Sequence, residues 1–220
     1  GDGEREDGSA AQGRPTRTAV EDVTTLTREQ SIKALDQLIV RESFPEFLTF
    51  VKIVSDDPLN PVMSDWKPWP YLVDQAQFWE SGQSEIILKD RQLGYSWRAA
   101  AYAVWRARKG AAVALISKGQ LEAQVLLSKC SFIEAHLPGH LKMPCKPLAE
   151  SVAYKAGGFI QAFPSTPDAG VSFTFQVFVM DEAHFHPYAG QNFGALIPTV
   201  SAGGQIIILS TADPSLGPNG

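Results

Sequence analysis

Residues 175–182 read Phe-Gln-Val-Phe-Val-Met-Asp-Glu, and a chain that contains such a run has few folds open to it. A short, mostly apolar run with β-branched and aromatic side chains reads as a buried parallel strand. Two adjacent carboxylates cannot end such a strand without cost unless they face a cation or solvent. At the carboxyl edge of an open α/β sheet they face the ligand crevice. Asp181 is then a candidate ligand of a Mg2+-bound water, and Glu182 a candidate base or orienter of an attacking water. The alternative is a strand followed by a helix start, with Asp181 as the cap and Glu182 in the first turn.

A second segment bears on the choice. Residues 84–97 read Ser-Glu-Ile-Ile-Leu-Lys-Asp-Arg-Gln-Leu-Gly-Tyr-Ser-Trp. Ile86-Ile87-Leu88 is a further buried strand, and Ser96 opens an Ala-rich helix to about Arg108. Strand, short polar loop with glycine, then helix is the P-loop layout, in which backbone N–H groups and a helix N-terminus point at phosphate. Against Gly-x-x-x-x-Gly-Lys-Ser/Thr the match is partial. Gly94 fits the second glycine and Ser96 the Mg2+-holding hydroxyl. Lys89 stands where the first glycine belongs, and Tyr95 where the lysine belongs. Phosphoryl transfer needs a cation near the β- and γ-phosphates, because charge grows there in the transition state. Lys89 and Arg91 are the cations of the loop; the alternative is that both are solvated. Lys89 ends the strand, and its long side chain can curl over the phosphates.

The stretch Lys89-Asp90-Arg91-Gln92-Leu93-Gly94-Tyr95-Ser96 resembles the divergent Walker A motif of tailed-phage terminase large subunits, the DNA-packaging motors. Some members carry their lysine at the start of the loop. Residues 112–118 and 119–137 resemble the next strand and helix of these motors, and residues 163–170 their loop before Walker B. Asp181-Glu182-Ala183-His184-Phe185 resembles Walker B, and Ser210-Thr211-Ala212 the coupling motif. The match covers roughly residues 66–216, with the motifs in the family's order. It implies a P-loop NTPase fold of the ASCE, RecA-like kind, with ATP and Mg2+ as ligands. Ser96 and Asp181 would hold the metal. Glu182, Lys89 and Arg91 would be catalytic. The loop 89–96 with Trp97 and Gln75 would bind the nucleotide. Gln75 stands for the glutamine that reads adenine in the family, but one turn after the expected place, which Leu72 occupies; Trp69 and Tyr71 belong to the same aromatic segment. Implied partners are double-stranded DNA, a portal protein, a small terminase subunit and further copies in a ring, in the host cell cytoplasm. Where members show Ala-Gly-Arg-Gly, this chain has Ala169-Gly170-Val171-Ser172, so an arginine that could complete a neighbour's site is replaced; either another arginine serves, with Arg98, Arg106 and Arg108 the candidates, or activity in this chain is weak.

Two other functions compete. Asp-Glu-Ala-His at 181–184 also spells a superfamily-2 helicase motif, but such helicases keep Gly-Lys-Thr in Walker A and need a second motor domain. A nucleotide-fold module that binds DNA or a partner without hydrolysis is favoured by Tyr95 and Val171 and disfavoured by the intact Asp181-Glu182.

At 220 residues and 44% hydrophobic, the chain can bury one substantial core. The net charge of −5 argues against a broad basic surface, so DNA contact must use a local patch or a neighbour's loops. Residues 1–22 carry six acids and three bases and read as a disordered acidic tail. Residues 23–65 read as a helical extension and 66–220 as the ATPase domain, with a nuclease domain absent from what is expected to be a fragment. Thr27 or Thr25 can cap a helix to about Arg41 with Ile32, Leu35, Leu38 and Ile39 on one face. Residues 44–54 read as a second short helix, 56–70 as a Pro-rich connection, and a helix then runs to about Glu80. Strands at 85–89, 112–117, 175–180 and 205–209, helices at 96–108, 119–136 and 190–197, and a hairpin at 151–163 predict a mostly parallel sheet covered on both faces. Cys130 and Cys145 have no metal spacing and suggest a reducing compartment. His184 and His186 lack partners for zinc and read as surface or core residues. No apolar run approaches a membrane span.

Overall fold

The computed structural model describes residues 26–55, 59, 61–67, 70–90, 93–167, 169 and 174–211. The expectations for residues 1–22 and for Trp69, Arg91, Gln92, Val171 and Ala212 lie outside these residues. In chain order the elements are α1 (Arg28–Glu42), α2 (Phe44–Leu48), β1 (Lys52–Val54), β2 (Met63–Asp65), α3 (Pro70–Glu80), β3 (Glu85–Lys89), α4 (Tyr95–Arg108), β4 (Ala112–Ser117), α5 (Gln120–His136), β5 (Cys145–Pro147), β6 (Ser151–Tyr154), β7 (Phe159–Pro164), β8 (Val177–Met180), α6 (Ala189–Ser201) and β9 (Gln205–Thr211).

Seven strands form one sheet in the order β3-β9-β8-β4-β7-β6-β5. The pairs from β3 through β7 are parallel, while β6 and β5 add antiparallel pairs at one edge. The central strands alternate between two apolar layers, as a strand buried on both faces must. Val113, Leu115, Val177, Val179, Ile207 and Leu209 join the layer with α3, α4 and α5. Ala114, Ile116, Phe178, Met180, Ile206 and Ile208 join the layer with Leu196 of α6. Ala99, Ala100, Ala101 and Ala103 are fully buried, and their small side chains let α4 lie close to the sheet. The start of β9 is fixed to the α3–α4 layer by Gln205. Its amide accepts from Tyr102 Oη at 2.6 Å and donates to Gln83 O at 2.7 Å.

Several local expectations change. Ile86-Ile87-Leu88 is a strand but not a buried one: β3 is the edge of the sheet, and Ile86 and Leu88 are 68 and 75% exposed. The segment after α2 does not continue as helix: Lys52–Val54 pairs antiparallel with Met63–Asp65, so part of the Pro-rich connection is a strand. Only pairing distant in sequence could show this, because neither three-residue strand has a periodicity of its own. Helix α1 is capped by Thr27 and Gln30 in a capping box, yet Ile32, Leu35, Leu38 and Ile39 are 51, 54, 60 and 39% exposed. Periodicity defines an apolar face without specifying what covers it. The extension instead docks through Val40, Phe44, Phe47, Leu48 and Val51, which share one core cluster with Tyr102 and Trp105. No helix among the described residues is long and apolar enough to cross a membrane.

Candidate functional site

The parallel strands β3, β8 and β9 end side by side, with Lys89 in register with Thr211. Their carboxyl ends bring four separate stretches of chain to one place. Lys89 closes β3 and is 8% exposed. Its Nζ lies 3.9 Å from Asp181 Oδ1 and 3.8 Å from Glu182 Oε1, ion pairs that are too long for hydrogen bonds. Ser96 Oγ donates to Asp181 Oδ2 at 2.7 Å. Asp181 is 7% exposed, and its Oδ1 has no hydrogen-bond partner among the described residues. Burial pushes its carboxyl above the usual aspartate range, against the pull of the Ser96 hydrogen bond and the Lys89 charge. Thr211 closes β9 with its buried Oγ1 equally unpartnered.

Glycine is required where the loop turns into α4. Gly94 has φ 76°, the left-handed region, and stands at the N-cap with no side-chain cap bond. The first-turn N–H groups of α4 therefore lack intrahelical acceptors and side-chain caps alike, which suits an anion. Asp90 is exposed, and Leu93 packs against the core. Trp97 is turned into the α4–α5 interface, where its ring meets Phe132 edge-on at 5.6 Å. Tyr95, at the lysine position of a P-loop, is engaged by α3. Its hydroxyl donates to Gln75 Oε1 at 3.1 Å and it is 6% exposed.

Gln75 Oε1 also accepts from Arg98 at 2.7 Å. Because guanidinium only donates, this fixes the amide orientation. Arg98 is fully buried, stacked over Trp79 at 3.9 Å and Tyr95 at 4.7 Å, and burial pulls its pKa down to about 10. Arg106 binds Tyr102 Oη and Gln205, and Arg108 pairs with Glu134 at 2.7 Å. All three arginines are engaged by partners within their own fold.

The turn after the carboxylates is not the capped helix that sequence alone allowed. Asp181 caps nothing, and Glu182 precedes a short 3-10 turn, Ala183–Phe185, with φ 58° and no side-chain cap bond. Two histidines, expected as surface or core residues, hold this turn, and His186 is buried. His186 Nε2 donates to Asp181 O at 2.8 Å, so its proton is on that nitrogen; burial lowers its pKa. His184 Nδ1 is 3.1 Å from Ser210 Oγ and 3.3 Å from Thr211 N. Their two-residue spacing carried no signal for this, because His184's partners lie on another strand and His186's is a backbone carbonyl.

Among the described residues no three His, Cys, Asp or Glu side chains cluster as metal ligands. A cation here would take Asp181 and Ser96 from the protein and the rest from phosphate and water. That ligand set fits Mg2+, which keeps several waters and one or two carboxylates, and the unpartnered Asp181 Oδ1 is a ready acceptor for it.

In fold the chain is similar to an arginine-to-alanine mutant of the large terminase ATPase domain of Thermus phage P74-26, with TM-score 0.53 at 18% identity over 67% of this chain and 66% of that one. It is similar also to the large terminase of bacteriophage HK97, with TM-score 0.59 at 12% identity over 77% of this chain and 37% of that one. The chain thus spans just under two thirds of the first and little more than a third of the second. No protein-family model and no curated protein significantly matches the sequence. At these identities the likeness establishes the fold: a mostly parallel sheet flanked by helices, of the ASCE, RecA-like P-loop NTPase type.

Proposed function

We propose that the chain is the ATPase motor domain of a viral DNA-packaging machine of the large-terminase kind, hydrolysing ATP to move double-stranded DNA into a procapsid. One observation carries this: Lys89, Ser96, Asp181 and Glu182, from three segments up to 93 residues apart, converge at the carboxyl edge of the sheet beside a glycine-turned helix start. In this reading ATP phosphates lie on the loop 89–96. Ser96 and Asp181 would hold Mg2+, which when bound would neutralise phosphate charge. Glu182 Oε1 takes a proton from the attacking water as its oxygen bonds to the γ-phosphorus and the bond to the β–γ bridging oxygen breaks, with ADP leaving. Lys89 Nζ, already between the carboxylates, draws toward the charge growing on the γ-phosphoryl oxygens. Arg91 assists from the loop. Gln75 and Tyr71 line the base side, and Ser210, Thr211 and Ala212 pass on the loss of γ-phosphate. Portal protein, small terminase subunit and further copies in a ring are the partners, and host cytoplasm the location.

A module that binds without hydrolysis is the second reading. Tyr95, committed to Gln75 and carrying no charge to the loop, is what favours it. Titration with Mg2+ and a non-hydrolysable ATP analogue, followed by single-turnover hydrolysis, separates the two. The expected result is binding in the wild type and in Glu182→Gln, with turnover lost in the variant. Lys89→Ala is expected to weaken binding or turnover by at least about tenfold. Tight binding with no wild-type turnover in the assembled complex would favour the non-hydrolysing module. No heat and no thermal shift at millimolar ligand would remove both.

A further inference from the structure

His184 is used by no step above, yet it makes the direct side-chain link between the carboxylate turn and the end of β9. Thr211 N–H can only donate, so the Nδ1 it meets at 3.3 Å is unprotonated. The Ser210 hydroxyl, 3.1 Å from the same nitrogen, then donates as well. One imidazole lone pair gathers the last two described residues of β9.

What it gathers them to is a strained element. Glu182, with φ 58°, is the one non-glycine residue with positive φ among the described residues. A side-chain-bearing residue holds that conformation only where its surroundings over-determine it. Here the turn is fixed on one side by His186 on Asp181 O and on the other by His184 on β9. On its far side Thr211 is in register with Lys89, so the end of β9 lies between the loop lysine and the turn that bears Glu182. The buried Thr211 Oγ1 has no hydrogen-bond partner among the described residues.

We propose that His184 is a positioning residue that makes the placement of Glu182 depend on the end of β9. While Ser210 and Thr211 hold Nδ1, the turn keeps its left-handed residue and the Glu182 carboxylate stays at 3.8 Å from Lys89. When the end of β9 shifts, both donors leave Nδ1 together, the turn relaxes, and Glu182 moves off the attacking water. Hydrolysis is thereby gated by the strand end that adjoins the phosphate loop. The inference rests on the ATPase reading for its catalytic consequence, but not for the link itself.

The test uses the full chain with His184→Ala, which removes the acceptor, and His184→Asn, which puts a carbonyl acceptor close to the place of Nδ1. Amide hydrogen exchange at Thr211 reads the link whether or not the protein hydrolyses ATP. Expected in His184→Ala are exchange at Thr211 faster by about tenfold or more with Ile206–Leu209 unchanged, and kcat down by about tenfold with KM held within about twofold. His184→Asn is expected to recover both. Unchanged Thr211 exchange in His184→Ala overturns the proposal. So does a loss of protection along the whole of β9 that asparagine does not repair, since that is a folding defect. A kcat unaffected in His184→Ala, in a wild type that hydrolyses ATP, overturns the gating. A wild type that never hydrolyses ATP defeats the function proposed above, and selective loss at Thr211 with recovery by asparagine still supports the link.

Discussion

Asp181 is the residue at which burial and charge oppose each other most sharply. It is 7% exposed, one oxygen is held by Ser96, and the other faces Lys89 at 3.9 Å without a hydrogen bond. Burial raises its carboxyl above the usual aspartate range, so the folded state binds this proton more tightly than the unfolded chain does. The stability this brings is full below the unfolded value of 3.8 and is lost as pH rises through the raised folded value. Above the raised folded value, without metal, the ionised carboxylate is therefore a cost. Asp181→Asn keeps an acceptor for Ser96 and removes the charge, and Lys89 retains Glu182 as partner. The metal-free variant is expected to melt above the wild type near pH 7, with the difference closing toward acid; at this size each kcal/mol is about 2–4 °C. The same variant should lose Mg2+-dependent nucleotide binding. Melting curves across about pH 4 to 8 measure this, since carboxylates titrate there when raised. Equal melting temperatures throughout would mean that the buried charge costs nothing.

Among the elements, α4 does most to position the site. Its N-terminus carries Gly94, Tyr95 and Ser96, its alanines meet the sheet, and its C-terminal end is pressed by the start of β7. Gly158, just before β7, is the point of contact. A methyl group there would lie 1.9 Å from Ala107 O and 3.0 Å from Ala111 O, both backbone atoms that cannot rotate away. Gly158→Ala must therefore displace either the end of α4 or the edge of β7. Overpacking of this kind costs about 1–3 kcal/mol or more. Urea unfolding is expected to show a lower midpoint with unchanged slope. A midpoint equal to the wild type's would mean that the α4–β7 junction is loose. Gly157, next to it, has space around its Cα and φ 97°, so there backbone conformation and not contact requires glycine.

Over the whole molecule the net charge of −5 leaves little for a polyanion to hold, but charge is not spread evenly. A cavity of about 610 Å3 between the C-terminal ends of α1 and α4 is lined by Arg41, Arg108, Lys109, His140 and Lys142, with Glu42 as its acid. Several of these side chains are already paired: Arg41 with Glu42, Arg108 with Glu134, and His140 with Asp36. Lys109 lies over the Trp105 ring at 4.1 Å, and it and Lys142 are exposed. On the proposed function, these two are the cations here best placed to meet DNA phosphate. Replacing both by alanine is expected to flatten the slope of log K against log salt by roughly 1.8, at about 0.9 per lost phosphate contact on duplex DNA. Filter binding or anisotropy over a salt series measures the slope. No change in it would place DNA contact elsewhere on the chain or on a neighbour.

The strands were legible wherever the chain states its own burial. Ala112–Ser117 and Val177–Met180 are apolar runs of strand length and are inner parallel strands, whereas Ile86-Ile87-Leu88, equally apolar, forms the sheet's edge strand with Ile86 and Leu88 exposed, because position in the sheet is not written in the run itself. Gly94 and Ser96 before an Ala-rich helix, and Asp181-Glu182 after a strand, likewise announced a sheet edge facing a ligand, because their chemistry is local to each motif. What joined them was not local. That Lys89 reaches both carboxylates follows from β9 lying between β3 and β8, a strand order that no motif encodes. That Tyr95 turns to Gln75 depends on Arg98, a cation whose burial the sequence gives no reason to expect. The exposed stripe of α1 shows the same limit from the other side, since an amphipathic pattern names a face and only neighbouring elements can cover it. The histidines after Glu182 make the point most plainly. Two residues apart, they look idle in sequence, and only the tertiary structure hands one to Asp181's own carbonyl and the other to a strand end 26 residues on, because hydrogen bonds form between atoms close in space and not between letters close in sequence.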